Sequence, residues 1–289
     1  MFLLLLLAFA KSVSHADVAG DRQFVLITGL YSELRSQGNT ILSSARQNPR
    51  IAATSLIEPP SNSSIEKNAG YVAGLLRYYY FQNGSRPILV VGYSKGGAEL
   101  MTALLRYPEL IKSGMIDKAV FLQGAFGSEL SGRIYSICVK IPLMDFIDRC
   151  AEARQASDGL KSLGDPNLRE QLHHKFNQLN SDSKYALNTS VLYVTAKVDP
   201  KELSALSSAY VRNYVYYWIK KKEGENDGAL AQSDQSLPWF GKIILNIDAE
   251  HSELLTNQTR SGQFQKVSLV TTAIFKSAGY SSYVQLAKK

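Results

Sequence analysis

The segment Pro87-Ile88-Leu89-Val90-Val91-Gly92-Tyr93-Ser94-Lys95-Gly96-Gly97 constrains the fold more than any other part of this chain. Its first half is a short, continuous apolar run rich in β-branched residues, the pattern of a strand buried on both faces. The periodic stretch from about Ala98 to Arg106, limited by Pro108, reads as a helix. A strand that passes through a glycine-rich turn straight into a helix belongs to an α/β architecture. The rest of the chain repeats the theme. Strands are expected at Phe24 to Thr28, Ala52 to Ile57, Lys118 to Leu122, Val191 to Thr195 and Lys242 to Ile247. Helices are expected at about Thr40 to Gln47, from the capping-box pair Ser63 and Glu66 through Tyr71, Leu75, Leu76 and Tyr79 to Asn83-Gly84, and at Gln263 to Ser277. Apolar strands alternating with helices predict a mostly parallel sheet with helices on both faces. From about Gly127 to Leu187 the rhythm breaks into helical, polar sequence with no strong strand, which reads as an inserted cap or lid.

A chain of 289 residues fits one large domain and can bury a sizeable core. The apolar run Leu3 to Ala10 is too short to span a bilayer. Ser14-His15-Ala16 after it resembles a cleavage site, so residues 1–16 read as a signal peptide and 17–289 as the mature, secreted or periplasmic domain. No Lys or Arg precedes the apolar run, and a buried N-terminal strand is the competing reading. Export permits a disulfide between Cys138 and Cys150, both in the insert; two unpaired core thiols are the alternative. Their spacing fits no Cys-based zinc site. The formal charge of +7 is densest at Lys220-Lys221-Lys222, beside Glu223 and Glu225, and reads as a solvated face with room for weak attraction to an anionic membrane surface. No motif points to nucleic acid.

Gly92-x-Ser94-x-Gly96 has the nucleophile-elbow pattern, and it stands where that pattern needs to stand, between a strand and a helix. The turn exposes the serine hydroxyl, the glycines let the backbone bend, and the helix N-terminus favours developing negative charge. A serine hydroxyl needs a base. His15 falls in the signal peptide, and His173 and His174 lie in a charged stretch of the insert and are expected in solvent. His251, in Asp248-Ala249-Glu250-His251-Ser252, follows the last strand and therefore lies at the C-terminal edge of the sheet, where open α/β folds build their sites. The carboxylate that would orient it is either Asp199, after the strand Val191 to Thr195, or Asp227, in Gly224-Glu225-Asn226-Asp227-Gly228. Either keeps the chain order Ser, acid, His.

With these segments in place the chain resembles the α/β-hydrolase superfamily, and more narrowly bacterial secreted lipases and related esterases, over about Phe24 to Ser277. GYSKGG resembles the lipase elbow, with Tyr93 where many lipases carry His. GENDGAL resembles the segment of the catalytic aspartate, which favours Asp227 over Asp199, and AEHSEL resembles that of the catalytic histidine. Thr28-Gly29-Leu30 stands where family members have His-Gly-x, so the resemblance implies backbone N–H groups of Leu30 and Lys95 as the oxyanion hole. It implies acyl transfer from a small-molecule or lipid ester through an acyl-enzyme on Ser94, with no cofactor needed; some secreted lipases bind a structural calcium, and this sequence shows no ligand cluster that requires a metal. An acyltransferase or thioesterase on the same residues is the near alternative. A non-catalytic envelope binding protein of the same fold is the distant one. Ile137, Ile141, Leu143, Met144, Phe146 and Ile147 cluster in the insert and could line an acyl channel or pack the insert onto the domain.

Overall fold

The computed structural model describes residues 20–30, 39–139, 148–201, 215–251, 253–255 and 262–280. The signal-peptide segment, and Ile141, Leu143, Met144, Phe146 and Ile147, lie outside them.

Among the described residues, six strands form one parallel sheet in the order β2-β1-β3-β4-β5-β6. They are β1 (Arg22–Ile27), β2 (Ile51–Ile57), β3 (Ile88–Tyr93), β4 (Ile116–Leu122), β5 (Val191–Lys197) and β6 (Lys242–Asp248). All six lie where the apolar runs predict them. Period-2 geometry sorts their side chains onto two faces. Val25, Ile27, Val90, Phe121 and Tyr193 join one apolar cluster; Phe24, Leu26, Leu89, Val120 and Val194 join the other.

Helices cover both faces. On one side lie α1 (Asn39–Arg46) and the last helix, α11 (Gln263–Ser277), whose Val267, Val270 and Ile274 are buried. On the other lie α2 (Ile65–Gln82), α3 (Lys95–Arg106) and the short α4 (Glu109–Lys112). The capping residue of α2 is Ser64, one residue after the expected Ser63: its side chain accepts the N–H of Lys67, while Ser63 is buried in the preceding turn.

Between β4 and β5 the described chain is helical, with α5 (Glu129–Ile134), a π-turn over Tyr135–Val139, α6 (Asp148–Gln155), α7 (Ser157–Leu163), α8 (Leu168–Gln178) and α9 (Ser181–Ser190). This insert is not uniform. Leu168, Leu172, Phe176 and Leu187 of α8 and α9 belong to the large cluster on the sheet. Ala153 of α6, Ala156 between the helices and Leu160 of α7 form a small cluster of their own, against Leu30, Ile134, Tyr135 and Cys138, and Leu163 at the end of α7 joins the large one. Cys138 and Cys150 are joined by a disulfide that ties the π-turn to α6. After β5 come α10 (Tyr216–Glu223), which buries Tyr216 and Ile219 and leaves Lys221 and Lys222 exposed, and a 3-10 turn over Gln232–Gln235. Among the described residues no helix is long and apolar enough to cross a membrane.

Candidate active site

The strand order locates the site. The chain steps from β1 outward to β2, then crosses back to β3 on the other side of β1. The loops leaving β1 and β3 therefore diverge at the C-terminal edge of the sheet, and a crevice opens between them. Thr28-Gly29-Leu30 leaves β1, and Ser94 leaves β3.

Ser94 turns the chain from β3 into α3 at φ 53° and ψ −126°. A side chain is rarely held there, and the strain is of the order of ~1–3 kcal/mol. Close packing enforces it. A Cβ on Gly96 would lie 2.3 Å from the carbonyl oxygen of Thr28, and one on Gly29 would lie 2.7 Å from Cβ of Ser94. Glycine at both positions lets the β1 loop press against the elbow. Thr28 faces away from the serine, its hydroxyl donating to the carbonyl of Ile57 at 3.3 Å.

Ser94, His251 and Asp227 meet in one hydrogen-bonded line. Ser94 Oγ is 2.9 Å from His251 Nε2, and His251 Nδ1 is 2.8 Å from Asp227 Oδ2. A carboxylate only accepts, so Nδ1 carries the proton and Nε2 is free to accept from the serine hydroxyl. The arrangement can move a proton from Ser94 to His251 while Asp227 balances the charge formed on the ring. The backbone N–H of His251 also donates to the carbonyl of Asp227 at 2.9 Å, which fixes the two loops to one another.

Asp227 is fully buried, and its carboxylate accepts five hydrogen bonds. The N–H groups of Ala229 and Leu230 reach Oδ1 at 3.0 and 2.8 Å. Gln123 Nε2 and Gln235 Nε2 reach Oδ2 at 2.9 and 3.2 Å, beside His251. The other side chain considered for this role is elsewhere: Asp199 is exposed and closes its own turn by accepting the N–H of Lys201 at 2.8 Å.

Tyr93 supports the ring. It stacks on His251 with centroids 5.1 Å apart, and its hydroxyl donates to the carbonyl oxygen of His251. Burial, and then the nearby Asp227 and Glu250 charges, push the phenol well above its usual range, so it stays a donor. Lys95 opens α3 next to Ser94. Its side chain is buried and pairs with Glu99, which also accepts from Asn68 Nδ2 at 2.7 Å. Leu30 and Lys95 thus flank the serine on the β1 loop and at the helix N-terminus.

The two insert histidines lie apart from this line. His174 bonds Gln178. His173, expected in solvent, instead stacks on Trp239 at 4.7 Å and is half-buried. The charged sequence around it hides a partner 66 positions away, which local sequence does not reveal. Sequence reasoning also passed over Gln123 and Gln235. Gln123 had one visible signal: it is the lone polar residue in Ala119-Val120-Phe121-Leu122-Gln123-Gly124-Ala125-Phe126.

The sheet order, the strained serine after β3 and the histidine beyond the last strand describe an α/β-hydrolase fold, and the chain has that fold. Among solved structures it is similar to a lipase of Bacillus licheniformis in its mature form (18% identity, 92% of this chain and 94% of that one, TM-score 0.62). It is also similar to a metagenomic carboxyl esterase (16% identity, 94% and 78% covered, TM-score 0.55). A third similar structure is a type II thioesterase of yersiniabactin biosynthesis (13% identity, 93% and 97% covered, TM-score 0.51). No protein-family model matches the sequence, and no curated protein matches it significantly.

Proposed function

We propose that this protein is a secreted serine hydrolase of carboxylic esters. The observation that carries the reading is the unbroken line from Ser94 Oγ through His251 to Asp227 on a strained elbow. In this reading Ser94 Oγ attacks the ester carbonyl carbon as His251 Nε2 takes its proton. The backbone N–H groups of Leu30 and Lys95 hold the oxyanion. The alcohol departs with the proton from His251 and leaves an acyl-serine. Water, deprotonated by the same ring, then releases the acid and restores Ser94.

Helices α5–α7 act as the cap. Their small apolar cluster meets Leu30, next to the serine, which favours an apolar acyl group under the cap. The disulfide between Cys138 and Cys150 suits an exported protein, cleaved after Ala16. The lipase and esterase among the similar structures support ester substrates, and the thioesterase keeps a thioester reading in view.

The test is hydrolysis of p-nitrophenyl esters of increasing acyl length, with acyl-thioesters in parallel, by the wild type and Ser94→Ala. The wild type is expected to turn over oxygen esters, faster as the acyl chain lengthens, and Ser94→Ala to lose this with an unchanged circular dichroism spectrum. Undiminished turnover by Ser94→Ala overturns the reading. A strong preference for thioesters replaces the ester by a thioester.

A further inference from the structure

Gln123 follows β4, between the elbow on one side and β5 on the other. The N–H of Ser94 donates to the carbonyl of Leu122 at 3.3 Å, and the N–H of Gln123 to that of Val194 at 2.9 Å. The residue sits at φ 47°, in the left-handed region that non-glycine residues seldom occupy. Its side chain is fully buried, and its Oε1 has no hydrogen-bond partner among the described residues. Both features cost stability: the backbone is strained, and half of a buried amide is unsatisfied. A leucine or a glycine would avoid one cost or both. What the glutamine does in return is donate Nε2–H to Asp227 Oδ2 at 2.9 Å, the same oxygen that accepts from His251 Nδ1.

We infer that Gln123 is a positioning residue for the proposed reaction, acting through Asp227; the inference rests on the ester-hydrolase reading above. A carboxylate can turn about its Cβ–Cγ bond. The N–H groups of Ala229 and Leu230 hold Oδ1, and Gln123 with Gln235 pins Oδ2 in the plane that His251 needs. Gln235 shares the work but has a second job, bridging Ala196 through its N–H at 2.6 Å and its carbonyl at 2.9 Å. Among the described residues, the one side-chain hydrogen bond formed by Gln123 goes to Asp227, so removing its donor probes that bond.

The most informative variant is Gln123→Asn. Asparagine is the side chain most at ease at positive φ, so the fold is relieved, yet the amide falls one methylene short of Asp227. Gln123→Met, similar in length and lacking the donor, is the second variant. A hydrogen bond to a charged group corresponds to roughly a ten-fold effect or more. Both variants are expected to lose about ten-fold in kcat with KM unchanged and with a full equivalent of serine titrated by a fluorophosphonate at completion. In the Asp227→Asn background the same changes are expected to cost less than two-fold, because the group through which Gln123 acts is gone. A kcat within two-fold of wild type for both variants overturns the inference, as does an equal loss in both backgrounds, the mark of a merely structural role. Ser94→Ala, run alongside, separates the two levels. Retained activity there removes the hydrolase reading itself, whereas lost activity leaves the fate of Gln123 to its own variants.

Discussion

The floor of the site and the helices above it are built in opposite ways. The floor rests on two large apolar clusters, one on each face of the sheet, and its polar groups converge: five donors on Asp227, a ring and a hydroxyl on His251. Among the described residues, the part of the insert made by α5–α7 has a cluster of its own of three buried residues, and a disulfide takes up part of the task that packing performs below. Beside it runs an open cleft of about 1090 Å³ lined by charged groups, among them Glu129, Asp158, Arg169, Glu223 and Asp234. None of Ser94, Asp227 and His251 lines that cleft. A reaction that moves protons needs a scaffold fixed to a fraction of an ångström, whereas a cover that admits substrate needs only to stay folded. The two halves should therefore fail differently.

The largest expected effect is on the floor. Asp227→Asn should reduce kcat by about 10⁴-fold, because the ring loses the partner that sets its tautomer. Asp199→Asn, in an exposed turn, should stay within about two-fold. Steady-state kinetics of the pair decides the assignment, and equal losses would dissolve the contrast between a pinned carboxylate and a turn residue.

For the acid, local pattern leaves two candidates, and only the resemblance of GENDGAL favours Asp227. Asp199-Pro200 and Asp227-Gly228 are both ordinary turn signals, and only tertiary structure brings one of them to His251. The strands and the elbow were legible because they depend on local pattern: an apolar run, then glycines, then a helical period. The division of the insert was not legible. α6 and α8 are both polar and helical in sequence, and nothing local says that Phe176 reaches the sheet cluster while Ala153 does not. Gln123 acts on a residue 104 positions away and Gln235 on one 8 positions away; their role shows only once the fold brings both amides to the Asp227 carboxylate.

The next largest effect belongs to the insert. Cys138→Ser should destabilise the protein by about 3 kcal/mol in the chain-entropy model, seen as a lower denaturation midpoint. Alkylation without reductant, read by mass spectrometry, should find no free thiol in the wild type. Two alkylated cysteines would mean that α5–α7 hold together without the link.

A smaller effect returns to the floor. Tyr93→Phe keeps the ring stacked on His251 and removes the hydroxyl that donates to its carbonyl. The expected loss is about 1 kcal/mol, or a few-fold in kcat, with the fold intact. No change in kcat would show that the loop of His251 is held without it.

The smallest effect is in the charged cleft. Burial, together with the adjoining Asp234 carboxylate and the more distant Glu129, pushes the Glu223 carboxyl up to about 7, against the opposing Lys222. Burial raises Asp234 as well, despite Arg169 at 2.9 Å. In the unfolded chain a glutamate titrates near ~4.3. Between that pH and about 7 the folded protein holds the extra proton, so stability falls as pH rises through this window. Glu223→Gln should match the wild-type Tm at pH 4 and exceed it by a degree or two at pH 8. A difference that is constant with pH would remove the carboxylate pair from the account.

The central claim is that Ser94, and no other group, is the nucleophile that this floor prepares. Treatment with a fluorophosphonate followed by peptide mass spectrometry tests it most directly. The expected result is a single adduct, on Ser94 in the peptide that contains Gly92-Tyr93-Ser94-Lys95, formed in the wild type and slowed by orders of magnitude in His251→Ala. An adduct on a different serine, or labelling of Ser94 that is indifferent to His251, would contradict it.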